Sequence, residues 1–369
     1  MQKPIYKIIY LITLFFEAAF IFMMMVLNVL PAKYVLAILI IIAAADFGIF
    51  RLLFKIGSKK GVRIAGTIIS ALVCLMMLAG VYYMYVTYSA LDAISENSEA
   101  NEEKVGVTHE PFNIYITGID MWGDIDQVSR SVVNMIMSVN PEEKKILLTS
   151  IPRDSYVVLH SFGEYDKLTH TGVWGVEETT QTVEDWLDTD IDYYIRVNFS
   201  MLIDIVEAID GIDVYSDYTF KSSLKDYHYK KGWNHLGGWK ALYFARERHA
   251  FENEDQQRIL NQQKVMKACI RKVTSSKTLL IHYADLLDVV KDEMQTDMSR
   301  EEIAALVRMQ LDDMSKWKLE TQAVQGDLTM KGTYTMGMDR ELLVSIPREK
   351  SVEKVRRGLK AALEDAGDK

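Results

Sequence analysis

Cysteine is nearly absent from this 369-residue chain, and the two present, Cys74 and Cys269, cannot build a disulfide framework. Cys74 lies in an apolar run and Cys269 in a helix-patterned segment, so each reads as a small buried hydrophobe. A basic excess is missing as well. The chain has 42 Lys and Arg against 51 Asp and Glu, a formal net charge of -9. Residues 1–100 hold eight basic and five acidic side chains, net +3, which leaves -12 for residues 101–369. A region that acidic lacks the Lys/Arg density with which proteins neutralise nucleic-acid phosphates, and this excludes nonspecific nucleic-acid binding. No small-residue cleavage pattern follows the first apolar run, which argues against a cleaved signal peptide. Internal repeats and low-complexity tracts are absent too.

What the first ninety residues do hold is three long apolar runs, Ile8–Leu30, Tyr34–Phe54 and Ile64–Tyr88. Each reaches the roughly 20 residues a helix needs to cross a bilayer core. Lys3 and Lys7 precede the first run, and Arg51, Lys55, Lys59, Lys60 and Arg63 lie between the second and third. The first-to-second turn has only Lys33. The positive-inside rule therefore expects a cytoplasmic N-terminus and everything after Tyr88 outside, with Tyr82, Tyr83, Tyr85 and Tyr88 as an outer aromatic belt. Glu17 and Asp46 interrupt the apolar runs, where a carboxylate is costly. They read either as contacts to a headgroup or partner helix or as groups buried within the bundle.

Residues 89–110 are polar, acidic and aperiodic and read as an extracytoplasmic linker between residues 1–88 and a globular domain over 111–369. Strands are expected at Asn113–Ile119, Val132–Val139 and Lys145–Ile151, the last two joined by a turn at Pro141–Lys144. Phe199–Ile209 carries a helical apolar stripe, closed by Gly211 before a short strand at Ile212–Tyr215. Ser299-Arg-Glu-Glu302 is a capping box opening a helix to about Met314, and another helix covers about Glu349–Glu364. Strands alternating with helices imply an α/β or α+β layered domain, a sheet covered by helices.

The densest chemistry lies at Phe244-Ala-Arg-Glu-Arg248, followed by Asp255, Arg258 and Asn261-Gln-Gln-Lys264. On an extended segment Arg246 and Arg248 share a face. Guanidinium groups repel one another, so gathering three calls for an anion, and their planar fork of donors suits phosphate. The plain alternative is surface arginines paired with Glu247, Glu252 and Asp255. From the residues alone, both readings stand.

Further motifs follow in order: Ile116-Thr-Gly-Ile-Asp120, Ser129-Arg-Ser131, Leu147-Leu-Thr-Ser-Ile-Pro-Arg-Asp154 and Asp166-Lys-Leu-Thr-His170. Then come Thr182-Val-Glu-Asp-Trp186, Ile191-Asp-Tyr-Tyr194, Gly211-Ile-Asp-Val214, and the arginine segment with Asn261-Gln-Gln263. Together, over about residues 110–275, they resemble the LytR–CpsA–Psr family of cell-envelope phosphotransferases, and the three-span anchor is most similar to its capsule branch. The resemblance implies a central mixed β-sheet flanked by helices. It also implies transfer of a glycopolymer phosphate from an undecaprenyl-pyrophosphate carrier to a peptidoglycan hydroxyl, with Mg²⁺ or Mn²⁺. Capsule export or assembly proteins are further implied partners. Positioning and charge neutralisation dominate such phosphoryl transfer.

Residue by residue, the resemblance makes Asp120 the metal-binding and catalytic aspartate and Arg153 a catalytic arginine on the pyrophosphate. Arg130, Lys167, Arg246, Arg248, Arg258 and Gln262 become pyrophosphate contacts. His170 and His249 match no role, and Asp255 reads as an orienter of Arg258. One departure stands out. The family pattern Ser-Arg-Ser-Asp is here Ser129-Arg-Ser-Val132, and valine cannot bind a cation. Asp124 or Asp126 substitutes, or Asp120 holds the metal with phosphate oxygens and water, or the chain binds the lipid-linked polymer as a carrier or regulator.

Overall fold

The computed structural model describes residues 4–54, 60–95, 106–119, 129–252, 254–275 and 283–364. The chain divides into two compact units: Met1–Asp92 with Ile303–Asp313, and Ala93–Glu302 with Met314–Lys369.

In the first unit, α1 (Pro4–Leu27), α2 (Ala32–Phe54) and α3 (Lys60–Ile94) are each long and apolar enough to cross a membrane. Large apolar side chains such as Leu11, Phe15, Ile41 and Leu75 are outward and exposed, as a lipid-facing surface requires. The polar groups turn inward instead. Tyr10 donates to Asp46 at 2.9 Å, Thr13 bonds Ser70, and Glu17 is buried. Both carboxylates thus belong to the bundle interior. The third helix is longer than the sequence suggested. Its 35 residues run through Ile94, with Ala90, Leu91 and Ile94 buried, so the first part of the expected linker is helical. At 1.5 Å per residue it is about 52 Å long, well beyond a bilayer core of about 30 Å.

The second unit is built on a six-stranded sheet. Its first strands are β1 (Phe112–Ile119), β2 (Ser131–Asn140) and β3 (Lys145–Ile151), with two short strands β4 (Tyr156–Val158) and β5 (Tyr165–Lys167) pairing apart from it. The chain continues through α4 (Leu168–Thr171), α5 (Val176–Leu187), β6 (Tyr193–Val197), α6 (Phe199–Ala208) and β7 (Ile212–Ser216). After β8 (Phe220–Lys221), β9 (His228–Tyr229) and β10 (Gly232–Leu236) come α7 (Gly238–Arg246), α8 (Glu254–Val273) and α9 (Tyr283–Glu293). β11 (Met294–Thr296) leads into α10 (Arg300–Asp313), whose Ile303–Asp313 stretch belongs to the first unit, and the second unit closes with β12 (Lys318–Ala323), β13 (Gly326–Thr333), β14 (Gly337–Pro347) and α11 (Glu349–Leu363).

Sheet order is β11-β6-β1-β2-β3-β12. β6, β1, β3 and β12 run parallel to one another, while β2 and β11 oppose them, so the sheet is mixed as expected. Every residue of β1 is buried, because helices cover both faces of this inner strand. On one face Tyr115, Ile136 and Ile151 meet Val183 and Leu187 of α5 and Val352, Val355 and Leu359 of α11. On the other, Gln263 of α8 reaches Ser150 and the Gln322 carbonyl at 3.0 and 2.7 Å. A second core joins α6, β7, β10, α7 and α8 and includes buried Cys269, whose thiol burial pushes up to about 12.

Local signals read from sequence are met. The Asn140 side chain accepts from the Glu143 amide at 3.0 Å in the β2–β3 turn. The α6 end is closed by Gly211 at φ 77°, where an added Cβ would lie 2.6 Å from His235 Nε2. In the capping box Ser299 N donates to Glu302 at 2.7 Å and Glu302 N to Ser299 Oγ at 3.2 Å. Leu187 is fully buried between α5 and the sheet. Leu187→Ala should therefore cost about 3 kcal/mol, measured as a lower unfolding midpoint of the full chain in detergent.

Candidate functional site

The four parallel strands end at one edge of the sheet, and β2 starts there. Register places Gly118 beside Val197, Ile119 beside Ser131, Ile151 beside Asn134 and Ala323 beside Ser150. The carboxyl edge of a parallel sheet is where open α/β folds place ligands. Arg153 leaves β3 at this edge, and Arg130 enters β2 there. Asp120, Asp124 and Asp126 lie outside the described residues.

A first group of cations surrounds α4. The Asp154 carboxylate accepts from Lys167 Nζ at 3.0 Å and faces Arg153 Nε at 3.6 Å, so one acid holds two cations together. The plain alternative for Arg153, a salt bridge to Asp154, is thus present, and it doubles as a tie to Lys167. The Thr169 amide donates to the Arg153 carbonyl at 2.8 Å, seating α4 on the loop after β3. At its other end, Gly172 backs onto the start of β2. A Cβ there would lie 2.5 Å from Ser129 O and 2.8 Å from Ser131 N, so only glycine lets α4 come this close to Arg130.

Beneath this group sits a buried pin. Asp166 Oδ1 bonds His170 Nδ1 at 2.6 Å, and its Oδ2 accepts from the Thr335 amide and hydroxyl at 2.7 and 2.5 Å. Burial alone would raise the Asp166 carboxyl, but the bonds from His170 and Thr335 outweigh it and hold the group below its ordinary value. His170 is buried in this pin, matching its reading as a hydrogen-bonded histidine with no direct role.

The second group lies where α7 meets α8. Arg246 does not sit on an extended segment, as the sequence suggested; it closes α7, and the backbone becomes extended only at Glu247. The two arginines still diverge from the residue between them. Glu247 is fully buried and accepts from Ser223 N and Oγ at 2.6 and 2.8 Å and from the Arg248 and Ala250 amides at 3.1 Å each. Its carboxylate is spent on backbone and serine, leaving both guanidinium groups outward. Arg246 lies over the Phe199 ring, 4.4 Å from the centroid, and Arg248 Nε donates to His249 at 3.1 Å. Among the described residues no carboxylate pairs with Arg130, Arg246 or Arg248.

Arg258 is buried on the first turns of α8, and Gln262, one turn further, is half-buried. Its neighbours carry the structural load. Asn261 donates to the Phe244 carbonyl at 3.2 Å and accepts from Gln257 at 3.0 Å, while Gln263 bolts α8 to β3 and β12. Sequence reading singled out Gln262 of this run; polar residues on a helix's apolar face were the available signal for the other two.

Val132 links the two groups. It is the extra residue of a β-bulge between the Gly118–Val133 and Ile119–Ser131 pairs, two positions after Arg130. Its side chain packs on the cluster of Phe199, Ile203 and Leu242, whose Phe199 ring also carries Arg246. This spot offers no ligand to a cation. Among the described residues there is no group of three His, Cys, Asp or Glu able to hold a metal ion.

The LytR_cpsA_psr family model matches residues 81–353. The polyisoprenyl-teichoic acid–peptidoglycan teichoic acid transferase TagU of Bacillus cereus is 31% identical over 246 residues, 64% of this chain and 79% of that protein. The enzyme of the same name from Enterococcus faecalis is 29% identical over 299 residues, 79% of this chain and 96% of its own length. Among solved structures, B. subtilis TagV superposes with a TM-score of 0.56 at 28% identity, covering 69% of this chain and 97% of that one.

Because the depressed Asp166 carboxyl binds its proton less readily in the folded state, its stabilisation is complete above the ordinary carboxylate range. It is lost as pH falls through the folded value. Asp166→Asn should cost about 3 kcal/mol at pH 7. Thermal unfolding of variant and parent in detergent should begin to converge as pH falls below about 4 and meet only below the depressed folded value.

Proposed function

The chain belongs to the LytR_cpsA_psr family, and from that premise we propose that it transfers a phosphate-linked glycopolymer from a polyprenyl-pyrophosphate carrier to peptidoglycan. The observation that carries this reading is the set Arg130, Arg246 and Arg248. These guanidinium groups lack carboxylate partners among the described residues, although residues 101–369 carry a net charge of -12. An acidic domain that leaves these arginines without a carboxylate partner among its described residues is suited to an anion. The relatives' names supply the class of anion, a polyisoprenyl-linked wall polymer. We place undecaprenyl pyrophosphate as the carrier and a capsular or teichoic-acid-like polymer as its cargo.

In this scheme a peptidoglycan hydroxyl attacks the phosphorus nearer the glycopolymer. A new P–O bond forms as the hydroxyl gives up its proton to solvent, the bridging P–O bond of the pyrophosphate breaks, and polyprenyl phosphate leaves with the bridging oxygen. Arg153 and Lys167, held side by side by Asp154, neutralise charge on the transferring group. Arg130, Arg246, Arg248 and Arg258, with Gln262, grip the remaining pyrophosphate oxygens. A divalent ion such as Mg²⁺ or Mn²⁺, held by Asp120 with Asp124 or Asp126, would supply further charge neutralisation. The three N-terminal helices would place this domain outside the membrane, beside both the lipid carrier and the wall.

The apolar setting of Val132 favours a second reading: a membrane-anchored polyprenyl-pyrophosphate binder that regulates capsule assembly or export without turnover. The two readings divide on catalysis. Arg246→Ala and Arg248→Ala should each weaken polyprenyl-pyrophosphate binding by about tenfold or more, read by titration of the full chain in detergent. Under the transferase reading, the natural chain turns over polyprenyl-pyrophosphate-linked glycan with Mg²⁺ or Mn²⁺. Under the binder reading it does not, and Val132→Asp gains turnover.

A further inference from the structure

Three large rings are gathered on the surface of the second unit. Phe162, Trp174 and Tyr334 have ring centroids 4.8, 5.0 and 6.1 Å apart, yet they remain 37%, 37% and 42% exposed. They come from three separate places: the β4–β5 turn, the loop after α4, and the tip between β13 and β14. Bringing rings from three loops together and leaving them in water sacrifices burial that each could have had, which marks a surface made for contact. The loops are fixed. The Tyr334 amide donates to the Tyr165 carbonyl at 3.1 Å, the Trp174 amide to the Thr171 carbonyl at 2.9 Å, and Thr335 is tied to buried Asp166.

Resting on the transferase reading above, we propose that Phe162, Trp174 and Tyr334 form a saccharide platform that seats the acceptor glycan strand of peptidoglycan. Exposed aromatic faces suit the C–H faces of pyranose rings, because the ring's negative face attracts polarised C–H groups. The place is right for an acceptor. Trp174 follows Gly172, whose backbone touches Ser129–Ser131 beside Arg130, and β5 leads from the same surface to Lys167. A cavity of about 540 Å³ begins at Gly175, the residue after Trp174, and is lined by Glu177, Thr180, Tyr194, Arg196 and Asp297, polar groups able to meet further sugar hydroxyls.

Charge decides between acceptor and donor. Of the carboxylates over residues 155–190, Asp166 and Glu178 are buried and Asp188 and Asp190 lie past the far end of α5. That leaves Glu164 and Glu177 as the exposed ones nearest the rings in sequence. The one Lys or Arg, Lys167, has its ammonium bound to Asp154. The hairpin tip over residues 333–337 is uncharged. Two exposed carboxylates and no exposed unpaired cation among these loops disfavour a phosphate-bearing donor polymer and leave uncharged sugar rings unaffected.

The test uses the full chain in detergent, with two probes: soluble uncrosslinked peptidoglycan glycan strands and a polyprenyl pyrophosphate. Trp174→Ala and the double variant Phe162→Ala/Tyr334→Ala should weaken strand binding by about tenfold or more, leaving polyprenyl-pyrophosphate binding within about twofold. Trp174→Phe, which keeps a ring, should stay within about threefold of the parent. Tyr334→Ser alone, at a tip held by backbone bonds, should reproduce part of the loss without lowering the unfolding midpoint. Unchanged strand binding in the alanine variants overturns the proposal. So does loss of polyprenyl-pyrophosphate binding instead, which would put the donor's sugars on the platform. A parent that binds polyprenyl pyrophosphate but no strand sinks this inference and leaves the donor site standing. Strand binding through the platform without polyprenyl-pyrophosphate binding does the reverse.

Discussion

Repulsion among like charges is the constraint on which the rest of this site depends. Six cationic side chains converge on one edge of the sheet or on the α7–α8 junction beside it, and nothing in their own chemistry favours that. The fold answers with carboxylates used in two different ways. Asp154 stands between Arg153 and Lys167 and lowers their mutual repulsion directly. Glu247 and Asp166 do not touch the guanidinium groups at all; buried and bound to amides and hydroxyls, they fix the backbone that carries Arg246, Arg248 and Lys167. The first device tempers charge, and the second sets direction. Neutralising every arginine with its own acid would have removed the attraction for an anion.

The scaffold behind these carboxylates is one of polar bolts through an otherwise apolar structure. Gln263 crosses from α8 to β3 and β12, Asn261 from α8 to α7, and Asp166 from β5 to α4 and to the β13–β14 tip. Each is buried, and each satisfies groups whose desolvation would otherwise be costly. Their directionality fixes the helices relative to the sheet edge more tightly than apolar contact does. Asp166, bonded to His170 on α4 and to Thr335 beside Tyr334, gives the cation group around α4 and the exposed aromatic trio one shared support.

Much of this was legible in the chain. The three sheet strands, the α6 stripe with its Gly211 stop, the capping box at Ser299 and the three apolar spans depend on local periodicity and turn chemistry, which neighbours in sequence dictate. The errors fall where tertiary contact decides. The short-range pattern around Arg246 fits an extended segment as well as a helix, and α7 is helical because Ala241, Phe244 and Ala245 bury against the second core. The polar stretch after residue 88 looked like linker, yet Ala90, Leu91 and Ile94 find burial that holds α3 together to Ile94. In the Asn261–Gln263 run, composition could not say which amide faces inward.

By itself, then, the sequence determined the membrane-compatible helices, the layered α/β class, the charge imbalance between the two parts and the roster of cations, since all of these are properties of composition and short-range order. Tertiary structure decided which of those cations stand together and which acids answer them. It also decided that Val132 sits in a bulge against Phe199 and that three distant aromatic residues share one exposed surface. Those outcomes depend on contacts between residues tens to hundreds of positions apart, where strand register and helix docking, and no local signal, choose the neighbours.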